Sequence, residues 1–246
     1  MQLAISDKLK ITAEIFSILL LISILMVIIA NCSDKETPQT QSGKKAVESF
    51  TFFDLGRNSV LSNDIRDELS TKLGNDAIEG RMILDLEINY PGFLKTYFPQ
   101  LNELNRQLNY PPGERVDHNT VKLMYRYAQR KSVPFEYVEL IFSNYTKNPI
   151  LFRINFQKDE SNIIETLRQK YGIPQTVEWQ KENGSSFYWA KNQDVLIVSL
   201  VPDQFGNPGY QIVIYFTENL EELIRTEQME KEKMEQKRAK SGKTAF

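Results

Sequence analysis

Residues 176–190 read Thr-Val-Glu-Trp-Gln-Lys-Glu-Asn-Gly-Ser-Ser-Phe-Tyr-Trp-Ala, and this stretch decides the fold class. Two runs rich in β-branched and aromatic residues flank Asn183-Gly184, a dipeptide suited to a two-residue hairpin turn because both central positions require positive φ. With that pair as the turn, Glu182 opposes Ser185, Trp179 opposes Tyr188 and Glu178 opposes Trp189. Directly opposed side chains share a face of the ribbon. Trp179 and Tyr188 therefore lie on one face, and Phe187 and Trp189 on the other. Either both faces are covered, or these aromatics form a solvent-facing patch on which a ligand or protein partner docks.

Reading outward, Phe135–Phe142 and Ile150–Phe156 have the alternation of strands, and Asn144–Asn148 closes a hairpin between them. Ser161 is placed to cap a helix carrying Ile163, Ile164, Leu167 and Tyr171, which Gly172 and Pro174 end. Strands near Thr176–Lys181, Ser186–Ala190, Val195–Val201 and Tyr210–Phe216 follow. The order β-β-α-β-β-β-β gives an α+β fold, an antiparallel sheet with a helix packed on one face.

Ahead of the sheet, residues 50–132 read as a mainly helical subdomain. Ser62 caps a helix with Ile65, Leu69 and Leu73 at four-residue spacing, and Gly74 stops it. A second helix starts at Asp76, with Ile78, Met82 and Leu86 along one side. The alternation of Leu84, Leu86, Ile88 and Tyr90 is a competing strand pattern; helix is preferred because Asp and Asn are depleted in strands. Pro99 opens a third helix with Leu101, Leu104 and Leu108. Tyr110-Pro111-Pro112-Gly113 is a break, and a fourth helix spans Asn119–Arg130. The sheet subdomain occupies 133–220. Residues 221–246 form a charged, solvated helix with acid-before-base pairs Glu221–Arg225 and Glu227–Lys231.

The first 49 residues have a different character. Ile15–Ala30 is apolar apart from Ser17 and Ser23. At a rise of about 1.5 Å per residue it spans roughly 24 Å, and it has no polar face, so it is a membrane signal or anchor (residues 1–31) rather than a core helix. Lys8 and Lys10 precede it. The sole cysteine, Cys32, follows in Ile29-Ala30-Asn31-Cys32-Ser33. This order resembles the lipobox of bacterial lipoproteins, which implies cleavage before Cys32 and attachment of lipid to it; an uncleaved anchor helix is the alternative. Residues 32–49, with Pro38, Gly43 and few apolar side chains, are a polar tether.

The chain of 246 residues carries 30 basic and 32 acidic groups, a net charge of −2, which gives no electrostatic reason to expect nucleic acid as partner. One Cys and one His exclude a thiolate or His-rich metal cluster, and no phosphate-binding glycine motif is present. The candidate chemistry is sparse. His118 beside Asp117 lacks a nucleophile to complete a triad. Asp85 with Glu87, and Glu136 with Glu139, are candidate acid–base pairs. Lys122, Arg126 and Arg130 line one face of the fourth helix. Asp203–Gly209 contains oxygen ligands without the spacing of a calcium loop. No catalytic, cofactor or metal residues are assigned. The reading is a membrane-tethered, extracytoplasmic, non-enzymatic binding or assembly module of the cell envelope, with Cys32 as lipid attachment site and Trp179, Tyr188, Phe187 and Trp189 as candidate partner-binding residues. The alternative is a carboxylate enzyme with its cleft between the two subdomains.

Overall fold

Eight strands join in one antiparallel sheet of order β1-β2-β3-β4-β8-β7-β6-β5. The computed structural model describes residues 50–156, 162–179, 184–202 and 208–244. The apolar run, Cys32, the tether, Ser161, Asn183 and residues 203–207 lie outside them. Along the chain come α1 (Asn63–Leu73), β1 (Ala77–Met82), α2 (Phe93–Tyr97), α3 (Pro99–Leu108), β2 (His118–Tyr125), a 3-10 turn (Ala128–Lys131), β3 (Tyr137–Ser143) and β4 (Pro149–Phe156). Then follow α4 (Ile163–Tyr171), β5 (Gln175–Trp179), β6 (Gly184–Lys191), β7 (Asp194–Pro202), β8 (Pro208–Tyr215) and α5 (Thr217–Thr244).

Local rules place most of these elements. The Ser62 hydroxyl accepts from Ile65 N at the start of α1, and Gly74 ends it at φ 89°, a left-handed value that favours glycine. Gly172 ends α4 in the same way. Pro99 occupies the first turn of α3, which buries Leu101, Leu104 and Leu108. At α4, however, the N-cap is Asn162 in a left-handed conformation, with no side-chain cap.

Both faces of the sheet are covered, the first of the two alternatives that the ribbon left open. On one face Leu140, Phe152, Ile154, Trp189, Val198 and Ile214 pack under Phe50, Leu55 and the Leu69 and Leu73 ridge of α1, with Ile163, Leu167 and Tyr171 of α4 alongside. On the other face Ile141, Leu151, Trp179, Ile197, Val213 and Tyr215 pack under Leu84, Leu86, Ile88, α2, α3 and the first turns of α5.

Two expectations are corrected. Residues 77–82 and 118–125 are strands, not helices. β2 contains Thr120, Val121 and Tyr125, good strand formers, and is held by β1 on one side and β3 on the other. No boundary falls at residue 132, because β2 pairs with β3 from Thr120↔Ser143 to Tyr125↔Val138. The alternation at Leu84, Leu86 and Ile88 does report burial, but in an extended segment without a strand partner. Side chains satisfy its backbone instead: Asn105 Oδ1 accepts from Leu86 N at 2.9 Å, Asn109 Nδ2 donates to Leu84 O at 3.0 Å, and the Tyr215 hydroxyl donates to Leu86 O at 2.7 Å.

The helix α5 crosses one end of the sheet. Asn219 Nδ2 donates to Pro149 O at the start of β4, and just over two turns later Glu227 reaches the start of β2. Its Oε2 lies 2.7 Å from His118 Nδ1, and its Oε1 accepts from Asn119 N at 2.8 Å. Leu220, Leu223 and Ile224 are buried, whereas every side chain described beyond Glu227 is exposed. The remainder extends about 25 Å at the standard helical rise. A chain ending at Met229 should therefore keep its stability within about 0.5 kcal/mol. One ending at Thr226 strands a buried imidazole nitrogen and an amide and should lose about 1–3 kcal/mol. Urea unfolding of the two truncations checks the difference, and equal midpoints would refute it.

Candidate functional site

The cleft begins with Arg57, in the segment between Leu55 and α1. Its Nε donates to Asp194 Oδ2 at 2.9 Å and its Nη2 lies 2.9 Å from Asp194 Oδ1, a two-pronged contact that matches the planar guanidinium to the carboxylate. Nη1 is 2.5 Å from Glu218 Oε2, and Nη2 also donates to Asn192 O. Burial alone would lower the Arg57 pKa; hydrogen bonding and charge from Asp194, then Glu218, outweigh it and hold the guanidinium above its ordinary value. Asp194 is 0% exposed and its Oδ1 also accepts from Thr217 N at 3.0 Å, so one carboxylate caps α5 and anchors Arg57.

This clasp joins three distant segments around a cleft of about 640 Å³ lined by Arg57, Asn58, Asn148, Glu218, Asn219, Glu221, Glu222 and Arg225. Positions 218, 221, 222 and 225 recur at helical spacing, so they share the side of α5 opposite its buried leucines. The lining is polar throughout, which disfavours an apolar ligand.

The aromatic ribbon takes another role. β5 and β6 pair through Trp179↔Gly184, Val177↔Ser186 and Gln175↔Tyr188, not Trp179 with Tyr188. The connection thus covers residues 180–183, and Gly184 lies within β6. The offset is even, so each side chain keeps its expected face. Trp179 and Trp189 are each only 6% exposed, in opposite cores; Tyr188 and Phe187 are half-buried against those same cores. The two tryptophans are therefore core, with Phe187 and Tyr188 packed at its edge, so the ribbon takes the buried alternative rather than the solvent-facing patch. Gly184 serves close approach rather than a turn, since a Cβ there would lie 2.1 Å from the Trp179 ring. A hairpin turn with two left-handed residues forms instead between β6 and β7, at Asn192 (φ 50°) and Gln193 (φ 69°), closed by Lys191↔Asp194 and gripped from outside by Arg57.

The remaining candidates are used internally. His118 is buried, its Nε2–H donating to Leu108 O at 3.0 Å while Nδ1 faces Glu227; Asp117 instead accepts from Arg115. Asp85 Oδ1 accepts from Glu87 N and from Asn105, and Glu87 accepts from Gly92 N and Leu94 N, capping α2. Glu139 is buried between Arg153 at 2.9 Å and the Tyr137 hydroxyl at 2.9 Å, while Glu136 N donates to Asn155 O. Burial, then the charge of Glu139, pushes the Tyr137 hydroxyl up to about 12, so it stays protonated and donates. Lys122, Arg126 and Arg130 do not form a helix face. Lys122 stands on β2 beside Glu79 at 2.5 Å, Arg126 follows the strand, and Arg130 lies over the Tyr127 ring at 4.4 Å.

Among the described residues no group of three or more His, Cys, Asp or Glu side chains could hold a metal ion, and no helix is long and apolar enough to cross a membrane. Cys32 and the loop at 203–207 lie outside the described residues. Only the helical spacing of Glu218, Glu221, Glu222 and Arg225 hinted at the cleft in advance; Arg57, Asn148 and Asn219 carried no signal of their own. Comparison with family models, curated proteins and solved structures finds no match, so the functional reading rests on this geometry and on the sequence.

Proposed function

We propose that this chain is a membrane-tethered, extracytoplasmic, non-enzymatic binding module, attached to the membrane by lipid on Cys32. The observation that carries the reading is the order of the chain. The apolar run Ile15–Ala30 is followed two residues later by the only cysteine and then by a polar stretch. Residues 33–49, with Pro38, Gly43 and few apolar side chains, have the composition of a tether. The non-enzymatic part is supported by the use of His118, Asp85, Glu87 and Glu139 in internal hydrogen bonds. The binding part is supported by the polar cleft beside α5, the partner being either a small ligand or a protein.

Changing Cys32 to Ala tests the anchor. The variant should accumulate as a heavier precursor and lose metabolic labelling by palmitate. A variant that matches the unaltered protein in mass and in labelling would overturn the lipid attachment. One acyl chain binds membranes only marginally, so retention in the membrane fraction should follow the number of chains incorporated.

A further inference from the structure

Two carboxamides lining the cleft, Asn219 and Asn148, spend their donor ends on backbone carbonyls. Asn219 is only 9% exposed, and its Nδ2 donates to Arg57 O at 2.9 Å and Pro149 O at 2.8 Å. Those two carbonyls fix which end of the carboxamide is nitrogen. Its Oδ1 therefore points the other way and has no partner among the described residues, although Asn219 lines the cleft. Asn148 repeats the arrangement, with Nδ2 donating to Ser59 O at 3.0 Å. Of the carboxylates, Glu218 is held by Arg57, while Glu221 takes only a 3.4 Å bond from Gln100. The lining holds three carboxylates, Glu218, Glu221 and Glu222, against two guanidiniums, Arg57 and Arg225; since Arg57 is also held by the buried Asp194, the site keeps an excess of negative charge.

Oxygen acceptors with excess negative charge call for a cation bearing N–H donors. A hard metal ion would need several oxygens converging at about 2.3–2.6 Å, and no such set of carboxylates exists among the described residues. A cleft of about 640 Å³ is also far larger than one ion and falls in the roughly 300–1,000 Å³ range of organic-ligand pockets. A primary ammonium has three rotatable donors, and its alkyl chain lets it reach acceptors spread along a wall. We propose that this cleft binds an alkylammonium group, supplied either by a free linear polyamine or by a lysine side chain of a partner protein. The proposal rests on the reading of this unit as a binding module, whose ligand chemistry it names.

The test is titration of the full chain in detergent, followed by calorimetry, at about 50 mM salt so that screening is modest. The probes are spermidine, a capped Gly-Lys-Gly peptide and calcium chloride. At least one amine should bind with a dissociation constant below about 1 mM. E221Q/E222Q, on the solvent side of α5, should weaken it about tenfold, whereas E232Q/E235Q on the exposed distal helix should not. Preference for spermidine assigns a free polyamine; preference for the peptide assigns a partner's lysine. Calcium binding more tightly than either amine, binding unchanged in E221Q/E222Q, or no amine binding up to about 10 mM would each overturn the proposal. Processing at Cys32 does not enter this titration, so its failure is distinguishable from failure of the tether.

Discussion

Alanine in place of Trp179 and alanine in place of Trp189 should each destabilise the folded unit by about 3–5 kcal/mol, although the two indoles lie on opposite sides of the sheet. Trp179 meets the Phe93 ring edge-on at 5.3 Å and lies 6.1 Å from the Tyr90 ring; its removal opens a cavity between β5 and α2. Trp189 donates from Nε1 to Gly172 O at 2.8 Å, so its removal also releases the end of α4. The packing over Gly184 adds a sharper expectation. Gly184→Ala alone should cost about 1–3 kcal/mol, because the new methyl occupies the place of the indole. In the Trp179→Ala background the same methyl has room, and the added cost should fall below about 0.5 kcal/mol. Urea unfolding of the full chain and its four variants measures this cycle. Equal costs of Gly184→Ala in both backgrounds would refute the close approach, and near-neutral tryptophan variants would return the ribbon to solvent.

Asp194→Ala should be comparably damaging, at about 3–5 kcal/mol, or on the order of 10 °C in melting temperature for a domain of this size. The carboxylate is wholly buried and serves the Arg57 fork and the Thr217 amide at once. Its loss leaves a partly buried guanidinium with Glu218 as its remaining carboxylate and an uncapped helix start. It also loosens Arg57, whose Nη2 grips the Asn192-Gln193 turn from outside. Asp194→Asn keeps an acceptor for Thr217 while losing the charge, and should cost distinctly less. Thermal and urea unfolding of both variants decide the matter; a loss below about 1 kcal/mol for Asp194→Ala would mean that the clasp does not hold these segments together.

How much was legible in the sequence varied with how local the cause was. Helices α1 and α3 could be read because Ser62, Gly74 and Pro99 act within a turn of where they stand and the leucines between them share one face. Strands β3, β4, β7 and β8 showed because burial on one or both faces leaves a dense apolar or alternating record. β2 was illegible since its buried residues change sides partway: His118 and Thr120 face one core region, Leu123 and Tyr125 the other. Lys122 within it and Arg126 and Arg130 beyond it happened to fall at helical spacing. β1 is an edge strand exposed along nearly its whole length, so no hydrophobic period marks it. The Asn183-Gly184 signal lost to a tertiary contact, the Trp179 indole lying across Gly184, which sets the pairing. The cleft was hidden because its walls meet through tertiary contacts, Asn219 bridging the carbonyls of Arg57 and Pro149 and Arg57 reaching Glu218, and no spacing along the chain encodes that.

The most direct test of the tethered-module account is the intact mass of the protein purified from membranes. The account expects a chain that begins at Cys32, carries the added mass of acyl chains, and contains every residue from Cys32 onward. A chain that still begins at Met1 and carries no lipid would contradict it.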